Sequence, residues 1–103
     1  MSYAYIRDVP ADENIYRQIR DRLPAETPKG MSCHIVVKLP AGNLRYIDVW
    51  ETEADWDRFR DEWVEPAVDA VLAGYGIPHD HDATPLETIE VLECWVGSSI
   101  PVG

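Results

Sequence analysis

The chain has 103 residues, of which 46% are hydrophobic and 27% charged, a composition typical of one globular domain rather than a disordered or fibrous chain. Its formal net charge is −10, so it lacks the cationic surface needed to bind nucleic acid phosphates or an anionic membrane, and we expect neither partner. No apolar run is long enough to span a bilayer, and residues 1–10 contain no signal-peptide core, so we expect a cytoplasmic protein.

The first half of the chain predicts a strand, a helix and a loop. Tyr3–Val9 alternates aromatic and aliphatic residues as a strand does, and the proline that follows ends it. Asp12 is suited to cap a helix that runs to about Leu23, because its apolar residues recur at helical spacing. The composition of Pro24–Gly30 is that of a loop.

The second half predicts a hairpin, a long helix and a last strand. Cys33–Leu39 and Leu44–Trp50 are strands joined by a turn rich in Pro, Gly and Asn. A capping box at Thr52 starts a helix that ends near Gly74 and is expected to bury its apolar residues, Trp56, Phe59 and Trp63 among them. Pro66 should kink or split this helix near Trp63. The alternation of residues 86–96 predicts a fourth strand, which leaves residues 97–103 as a tail.

The register of the predicted hairpin decides whether His34 and Asp48 share a face. If the turn is symmetric about Ala41 and Gly42, Ile35 lies opposite Asp48 and His34 points away from it. A bulge within the turn would shift the pairing by one residue and bring His34 to the Asp48 side. The sequence leaves both registers open.

The order β-α-β-β-α-β predicts an α+β ferredoxin-like sandwich, with both helices on one face of a four-stranded antiparallel sheet. We expect Ile47 and Val49 to face the helices, so that Tyr46, Asp48 and Trp50 lie on the opposite face. An apolar sheet face of that size calls for a partner or a ligand, and a homodimer that packs two sheets face to face would cover it.

The segment IDVWETEADWDRFRDEWVEPAVDAVLAG resembles the strand-to-helix signature of the dimeric α/β-barrel superfamily. More narrowly, it is similar to antibiotic-biosynthesis-monooxygenase-like (ABM-like) domains, whose pattern is a hydrophobic strand, V-W-E-S/T and an aromatic-rich helix. The first strand and the order of elements agree, so the likeness covers most of the chain. The resemblance implies a homodimer, while superfamily members variously oxidise polyketide quinols, degrade haem, cyclise substrates or have no assigned reaction.

Haem degradation does not fit the residues at the corresponding positions. Relatives with that activity have an Asn on the first strand and a Trp and a haem-ligating His on the second helix. Aligned through VWE, this chain has Phe59 and Asp69 at the two helix positions, and Tyr3–Val9 contains no Asn. Without an axial ligand we expect no haem, and no nucleotide or flavin motif is present, so we expect no cofactor.

The candidate catalytic residues are Asp48 and His34. A carboxylate held between two aromatic side chains would be desolvated and could act as a general base, and a histidine could move a proton to or from it. The candidate substrate-binding residues around them are Tyr5, Arg7, Tyr46 and Trp50.

Each candidate also has a structural interpretation. Asp48 could form an ion pair with Arg7 or Arg45, or face the dimer interface, and His34 could be a hydrogen-bonded structural histidine. Cys33 and Cys94 are expected to be buried free thiols. The His79–Asp82 loop (HDHD) offers two imidazoles, too few for a closed metal site, so we expect a solvated loop and no metal.

Two functions remain open. One is a small homodimer that binds an apolar or aromatic molecule and oxidises it as a cofactor-independent monooxygenase, a base first removing a phenolic proton. The other is a non-catalytic ligand-binding or structural dimer whose interior is filled by its own side chains.

Overall fold

The computed structural model describes residues 2–78 and 86–95. The elements in chain order are β1 (Tyr3–Val9), α1 (Glu13–Asp21), β2 (Met31–Lys38), β3 (Leu44–Trp50), α2 (Glu53–Phe59), a π-helical turn (Arg60–Val64), α3 (Glu65–Gly74) and β4 (Glu87–Ile89). The strands form one antiparallel sheet in the order β2-β3-β1-β4. This is the predicted ferredoxin-like α+β fold.

Both helices begin at the predicted caps. The Asp12 carboxylate accepts a hydrogen bond from the Ile15 amide at 2.9 Å, and the Thr52 hydroxyl accepts one from the Asp55 amide at 3.1 Å. Each cap satisfies a backbone donor that the first helical turn leaves unpaired. The Thr52 hydroxyl also donates to the Asp55 carboxylate at 2.9 Å, which fixes the entry into α2.

The second predicted helix is divided by the π-helical turn, at the place where Pro66 was expected to disturb it. Pro66 has no amide hydrogen, and its ring crowds the carbonyl one turn earlier, so the α-helical hydrogen-bond pattern cannot continue through it. The chain instead bonds the Glu65 amide to the Arg60 carbonyl, which adds a residue to that turn. As a result Val64 packs against the core, whereas Trp63, expected to be buried, is 43% exposed.

The hairpin adopts the shifted register rather than the symmetric one. Gly42 has a φ of +93° and its amide donates to the Leu39 carbonyl at 2.8 Å, while the Leu39 amide donates to the Asn43 carbonyl at 2.8 Å. This is a three-residue loop whose last residue is left-handed, a conformation that glycine adopts without strain. The pairing that follows places His34 opposite Asp48.

The helices cover the sheet face opposite to the one predicted. The core cluster consists of Tyr5 on β1, Trp50 on β3 and Trp56 on α2, with the Trp50 and Trp56 ring centroids 5.6 Å apart. Since side chains alternate along a strand, Ile47 and Val49 face away from the helices. The expectation that these two residues pack on the helix was therefore wrong, and the Asp48 side of the sheet is its inner face.

The last strand is shorter than predicted. β4 pairs with β1 antiparallel, and Ile89 lies opposite Ala4, so in the same register Glu90 would reach the first residue of β1 and later residues would pass its beginning. Beyond Ile89 the described chain leaves the sheet, and Leu92 and Trp95 are 91% and 87% exposed. Val96, the tail 97–103 and the His79–Asp82 loop lie outside the described residues. No helix in the described part of the chain is long and apolar enough to cross a membrane.

Candidate functional site

Asp48 forms the centre of a hydrogen-bonded group beneath the helices. Within residues 2–78 and 86–95 it is the one charged residue that is buried, with 3% of its surface exposed. One carboxylate oxygen accepts from the Tyr5 hydroxyl, and the other faces Nδ1 of His34. Two short contacts of this kind compensate a carboxylate for the water it loses on burial.

The Asp48 contact sets the orientation of the His34 ring. A carboxylate accepts hydrogen bonds, so Nδ1 is the nitrogen that donates to Asp48, and the tautomer with its proton on Nδ1 presents Nε2 as an acceptor. The Tyr16 hydroxyl lies 3.1 Å from Nε2 and donates to it. The site is thus a chain of groups from Tyr5 through Asp48 and His34 to Tyr16, and Asp48 acts on His34 as an orienting group.

The phenols of Tyr5 and Tyr46 stay protonated beside this chain. Burial raises the pKa of Tyr5 well above its ordinary value of 10.0, and the neighbouring charge of Asp48 and their hydrogen bond raise it further. Burial likewise raises the pKa of Tyr46, with smaller effects from Tyr16 and Asp48. The Tyr46 ring centroid is 5.8 Å from that of His34. Tyr5 is therefore a fixed hydrogen-bond donor to Asp48.

The other two predicted substrate-binding residues lie at different depths. Trp50 is fully buried among Trp56 and Phe59, so its ring is part of the core. The Arg7 guanidinium carbon lies 5.9 Å from the Tyr5 ring centroid. Nε of Arg7 is buried without a hydrogen-bond partner among the described residues, and buried donors of this kind are rare enough to suggest a role in binding.

The ion-pair interpretations of Asp48 are wrong. Arg45 instead pairs with Asp8, through contacts of 2.7 and 3.0 Å on the outer sheet face. The partners of Asp48 are Tyr5 and His34 rather than Arg7. Because Asp48 lies beneath the helices, it does not face the outer side of the sheet, where the interface interpretation would place it.

Tyr16 is the residue that sequence reasoning missed. It lies beside Ile15 and Ile19 on the apolar side of α1, and that pattern predicts only that it points towards the sheet. Its position over His34 depends on the hairpin register, which the sequence left open. Given the shifted register, the apolar side of α1 would have suggested Tyr16 as a neighbour of β2.

Two cavities of the described structure lie away from Asp48 and His34, which line neither of them. One of about 230 Å³ lies between the 24–29 loop and the π-helical turn, against Phe59 and Trp63. The other lies between α1 and α3, against Gln18 and Tyr75. The described residues contain no cluster of three or more potential metal ligands. Both cysteines are free, but Cys33 is only partly buried and Cys94 is exposed, contrary to expectation.

Comparison with known proteins identifies the fold. No model of a known protein family matches the chain, and no curated protein matches it. Among solved structures, a candidate antibiotic biosynthesis monooxygenase from Chloroflexus aurantiacus J-10-fl is 17% identical with a TM-score of 0.57, covering 94% of this chain and 100% of that one. A candidate antibiotic biosynthesis monooxygenase from Deinococcus radiodurans is 14% identical with a TM-score of 0.59, covering 96% and 100%.

A third structure, the NE2512 protein of unknown function from Nitrosomonas europaea, is 13% identical with a TM-score of 0.61, covering 95% of each chain. These similarities extend over nearly the whole of each protein, so the chain has the fold of ABM-like structures, as its VWE segment indicated. At identities this low the similarity shows the fold alone, and the activity has to be inferred from the site.

Proposed function

We propose that this protein is a homodimer that binds a small aromatic molecule and oxidises it with O₂ without a cofactor. The observation that supports this most directly is the Asp48–His34 pair, in which a buried carboxylate holds Nδ1 of His34 and Nε2 is directed towards Tyr16. A histidine oriented by a carboxylate is a common arrangement for a general base. The ABM-like fold, shared with two candidate monooxygenases, is compatible with this chemistry.

The first step would be removal of a phenolic proton by His34. The phenolic O–H bond breaks, Nε2 of His34 takes the proton, and the imidazolium that forms is stabilised by the Asp48 carboxylate on its other nitrogen. Asp48 is thus a positioning residue, and His34 is the catalytic base. Tyr5 holds the second oxygen of Asp48 and prevents the carboxylate from turning away.

The second step would be reaction of the electron-rich phenolate with O₂. Electrons from the ring reduce O₂, one oxygen atom bonds to a ring carbon as a peroxide, and loss of water leaves a quinone. For phenol itself the balance is C₆H₆O + O₂ → C₆H₄O₂ + H₂O, and the proton held by His34 returns to the departing oxygen. A site that excludes water protects the peroxide from side reactions.

Arg7, Tyr46 and Trp50 are proposed to position the substrate. The Tyr46 ring lies beside His34 and offers an aromatic face for stacking. The buried Nε of Arg7 has no partner within the described residues, so an oxygen of the substrate or of O₂ could accept from it, while Trp50 would act through its ring beneath the site. A guanidinium would also stabilise the negative charge of a phenolate.

The dimer is proposed from the outer sheet face. Ile6, Ile35 and Ile47 project from it, on the side that the helices do not cover; Ile6 and Ile47 are partly exposed and Ile35 is 44% exposed. Two such faces packed together would bury aliphatic surface that is unfavourable in water. The mass of the protein in solution tests this directly, and a monomer at micromolar concentration would contradict it.

The catalytic proposal is tested by measuring O₂ uptake while the protein is incubated with simple quinols. His34→Gln should abolish the base and Asp48→Asn should lower the rate, because an amide cannot stabilise the imidazolium. Asp8→Asn is the matched control, since it removes a carboxylate from an exposed pair with Arg45. If Asp48→Asn oxidises quinols as fast as wild type, Asp48 has no part in the mechanism. If His34→Gln is as fast as wild type, His34 is not the general base.

A non-catalytic binding or structural role is the second candidate. It is favoured by the location of the two cavities away from His34 and by the dense packing of Tyr5, Trp50 and Trp56. A thermal-shift panel of aromatic compounds separates ligand binding from a purely structural role, because a ligand that binds the folded state raises its melting temperature. Binding without oxidation would favour a ligand-binding dimer, and no shift would favour a structural one.

A further inference from the structure

Tyr16 occupies the proton-accepting nitrogen of the candidate base. Nδ1 of His34 is directed to Asp48, so Nε2 is the nitrogen at which a substrate hydroxyl would have to bind. The hydroxyl of Tyr16 already lies 3.1 Å from that nitrogen. The phenol side chain of Tyr16 therefore occupies the position in which the proposed reaction requires the substrate phenol.

The ring of Tyr16 is also held as a bound phenol would be. It lies nearly parallel to the His34 imidazole, at 21° with a centroid separation of 6.3 Å, and tilted against Tyr46 at 57° and 5.7 Å. Such offset and tilted contacts between rings are favourable. His34 and Tyr46 together thus form a phenol seat, with one hydrogen-bond acceptor and two ring surfaces.

The helix that carries Tyr16 lies outside the Tyr5–Trp50–Trp56 core. None of the residues in α1 is fully buried, and Tyr16 is half-buried, so turning its side chain removes only partly buried apolar surface from contact. Its polar links include a hydrogen bond of 2.6 Å from Gln18 to the Tyr75 hydroxyl and a loose ion pair of 3.9 Å between Glu13 and Lys38. Tyr16 can therefore leave its seat without opening the Tyr5–Trp50–Trp56 core.

We propose that Tyr16 is an intramolecular competitor for His34: a phenol binds the site by displacing the Tyr16 side chain and taking over its hydrogen bond to Nε2. The ligand class is a monocyclic phenol with an unhindered hydroxyl, since that is the shape Tyr16 fills. This inference rests on the proposed function only in placing the ligand at His34, and it concerns binding, which needs no turnover.

Binding of p-cresol, the side chain of tyrosine as a free molecule, tests the proposal. In Tyr16→Ala no side chain of the protein occupies the phenol seat. We expect p-cresol to bind this variant about tenfold more tightly than it binds wild type. A tenfold change corresponds to about 1.4 kcal/mol, which is the size expected for one hydrogen bond and its ring contacts. Toluene, which has the same ring without the hydroxyl, should not show this gain. Titration calorimetry measures both affinities.

Two further variants separate the causes of a gain. Tyr16→Phe keeps the ring in the seat and removes the hydroxyl, so it should bind p-cresol less tightly than Tyr16→Ala. Tyr75→Ala is the matched control, because Tyr75 also contacts α1 but does not touch His34. A gain in Tyr75→Ala equal to that in Tyr16→Ala would overturn the proposal, since loosening of α1 alone would then explain it. Equal binding of toluene and p-cresol would overturn it as well.

Nuclear magnetic resonance of the wild type provides a measurement that needs no variant. On addition of p-cresol, the ring signals of Tyr16 and the Nε2 signal of His34 should move together. Movement of His34 with Tyr16 unchanged would refute displacement. If p-cresol displaces Tyr16 and no oxidation follows, the proposed activity is refuted while this inference holds. If oxidation proceeds but Tyr16→Ala binds p-cresol no more tightly than wild type does, this inference is refuted while the proposed activity holds.

Discussion

Replacing Tyr5 with phenylalanine removes one hydroxyl from the centre of the site and leaves the ring in the core. That hydroxyl donates to the Asp48 carboxylate, which is buried and has lost most of its water. Hydrogen bonds to charged groups contribute about 1.5–3 kcal/mol to stability, so the free energy of unfolding near neutral pH should fall by about that amount in Tyr5→Phe.

The same variant should change the dependence of stability on alkaline pH. Burial, and then the charge of Asp48, raise the pKa of Tyr5 in the folded protein above its ordinary value of 10.0. Above that value the unfolded chain releases the Tyr5 proton while the folded chain keeps it, so the unfolded state binds fewer protons and stability falls as pH rises. Each such group lowers the free energy of unfolding by about 1.4 kcal/mol per pH unit.

Urea denaturation followed by circular dichroism, from about pH 8 to about pH 11, measures this slope by linear extrapolation. Above pH 10 the Tyr5→Phe curve should fall less steeply than the wild-type curve, by about 1.4 kcal/mol per unit. Tyr75→Phe removes an exposed hydroxyl and should run parallel to wild type. Equal slopes in wild type and Tyr5→Phe would show that the folded protein does not hold this phenol protonated.

Three other changes test features around the site. Gly30→Ala should lower the free energy of unfolding by about 1–3 kcal/mol, measured by urea denaturation, because a Cβ there would lie 2.3 Å from an oxygen of Asp55. Gly42→Ala is the matched control: Gly42 has a similar φ, but a Cβ there would have no atom within 4 Å, so a smaller loss is expected. Thr52→Ala should cost about 1 kcal/mol in the same assay through loss of the helix cap. Ile35→Asp should convert the proposed dimer to a monomer by light scattering, and an unchanged mass would place the interface elsewhere.

The sequence was sufficient for the elements and their order. Alternation defined β1 and β3, and the capping residues Asp12 and Thr52 located the starts of both helices, because these signals are local and depend on neighbouring residues alone. The fold follows from that order, since few arrangements of two helices and four strands bury their apolar sides.

The inner face of the sheet could not be predicted by the same reasoning. Both sides of β3 are apolar, with Tyr46 and Trp50 on one and Ile47 and Val49 on the other, so alternation identifies two faces without saying which the helices cover. The choice is made by packing across the domain, where Trp56 of α2 meets Trp50. The prediction that Trp63 is buried was wrong for a related reason, since the π-helical turn changes which residues face the sheet.

The site depends on contacts that are distant in the sequence. Residues Tyr5, His34 and Asp48 come from three strands, and Tyr16 comes from a helix whose position was not predictable to within one side chain. Asp48 was identified as a carboxylate between two aromatic residues on one side of its strand, and His34 as a histidine within a predicted strand. Their hydrogen bond required the hairpin register, for which the sequence offered two equal choices.

Through that register, a partly exposed glycine in the hairpin tip determines which residue of β2 lies opposite the buried Asp48 carboxylate. Had the hairpin closed as a two-residue turn on Ala41 and Gly42, Ile35 would stand opposite Asp48, and a hydrocarbon side chain would meet the carboxylate in place of His34. Exposed hairpin tips ordinarily accept insertions and deletions more readily than any other part of a domain. Here the Pro40–Asn43 tip should be intolerant of changes in length, although it contacts nothing in the site, because its length encodes which residue reaches Asp48.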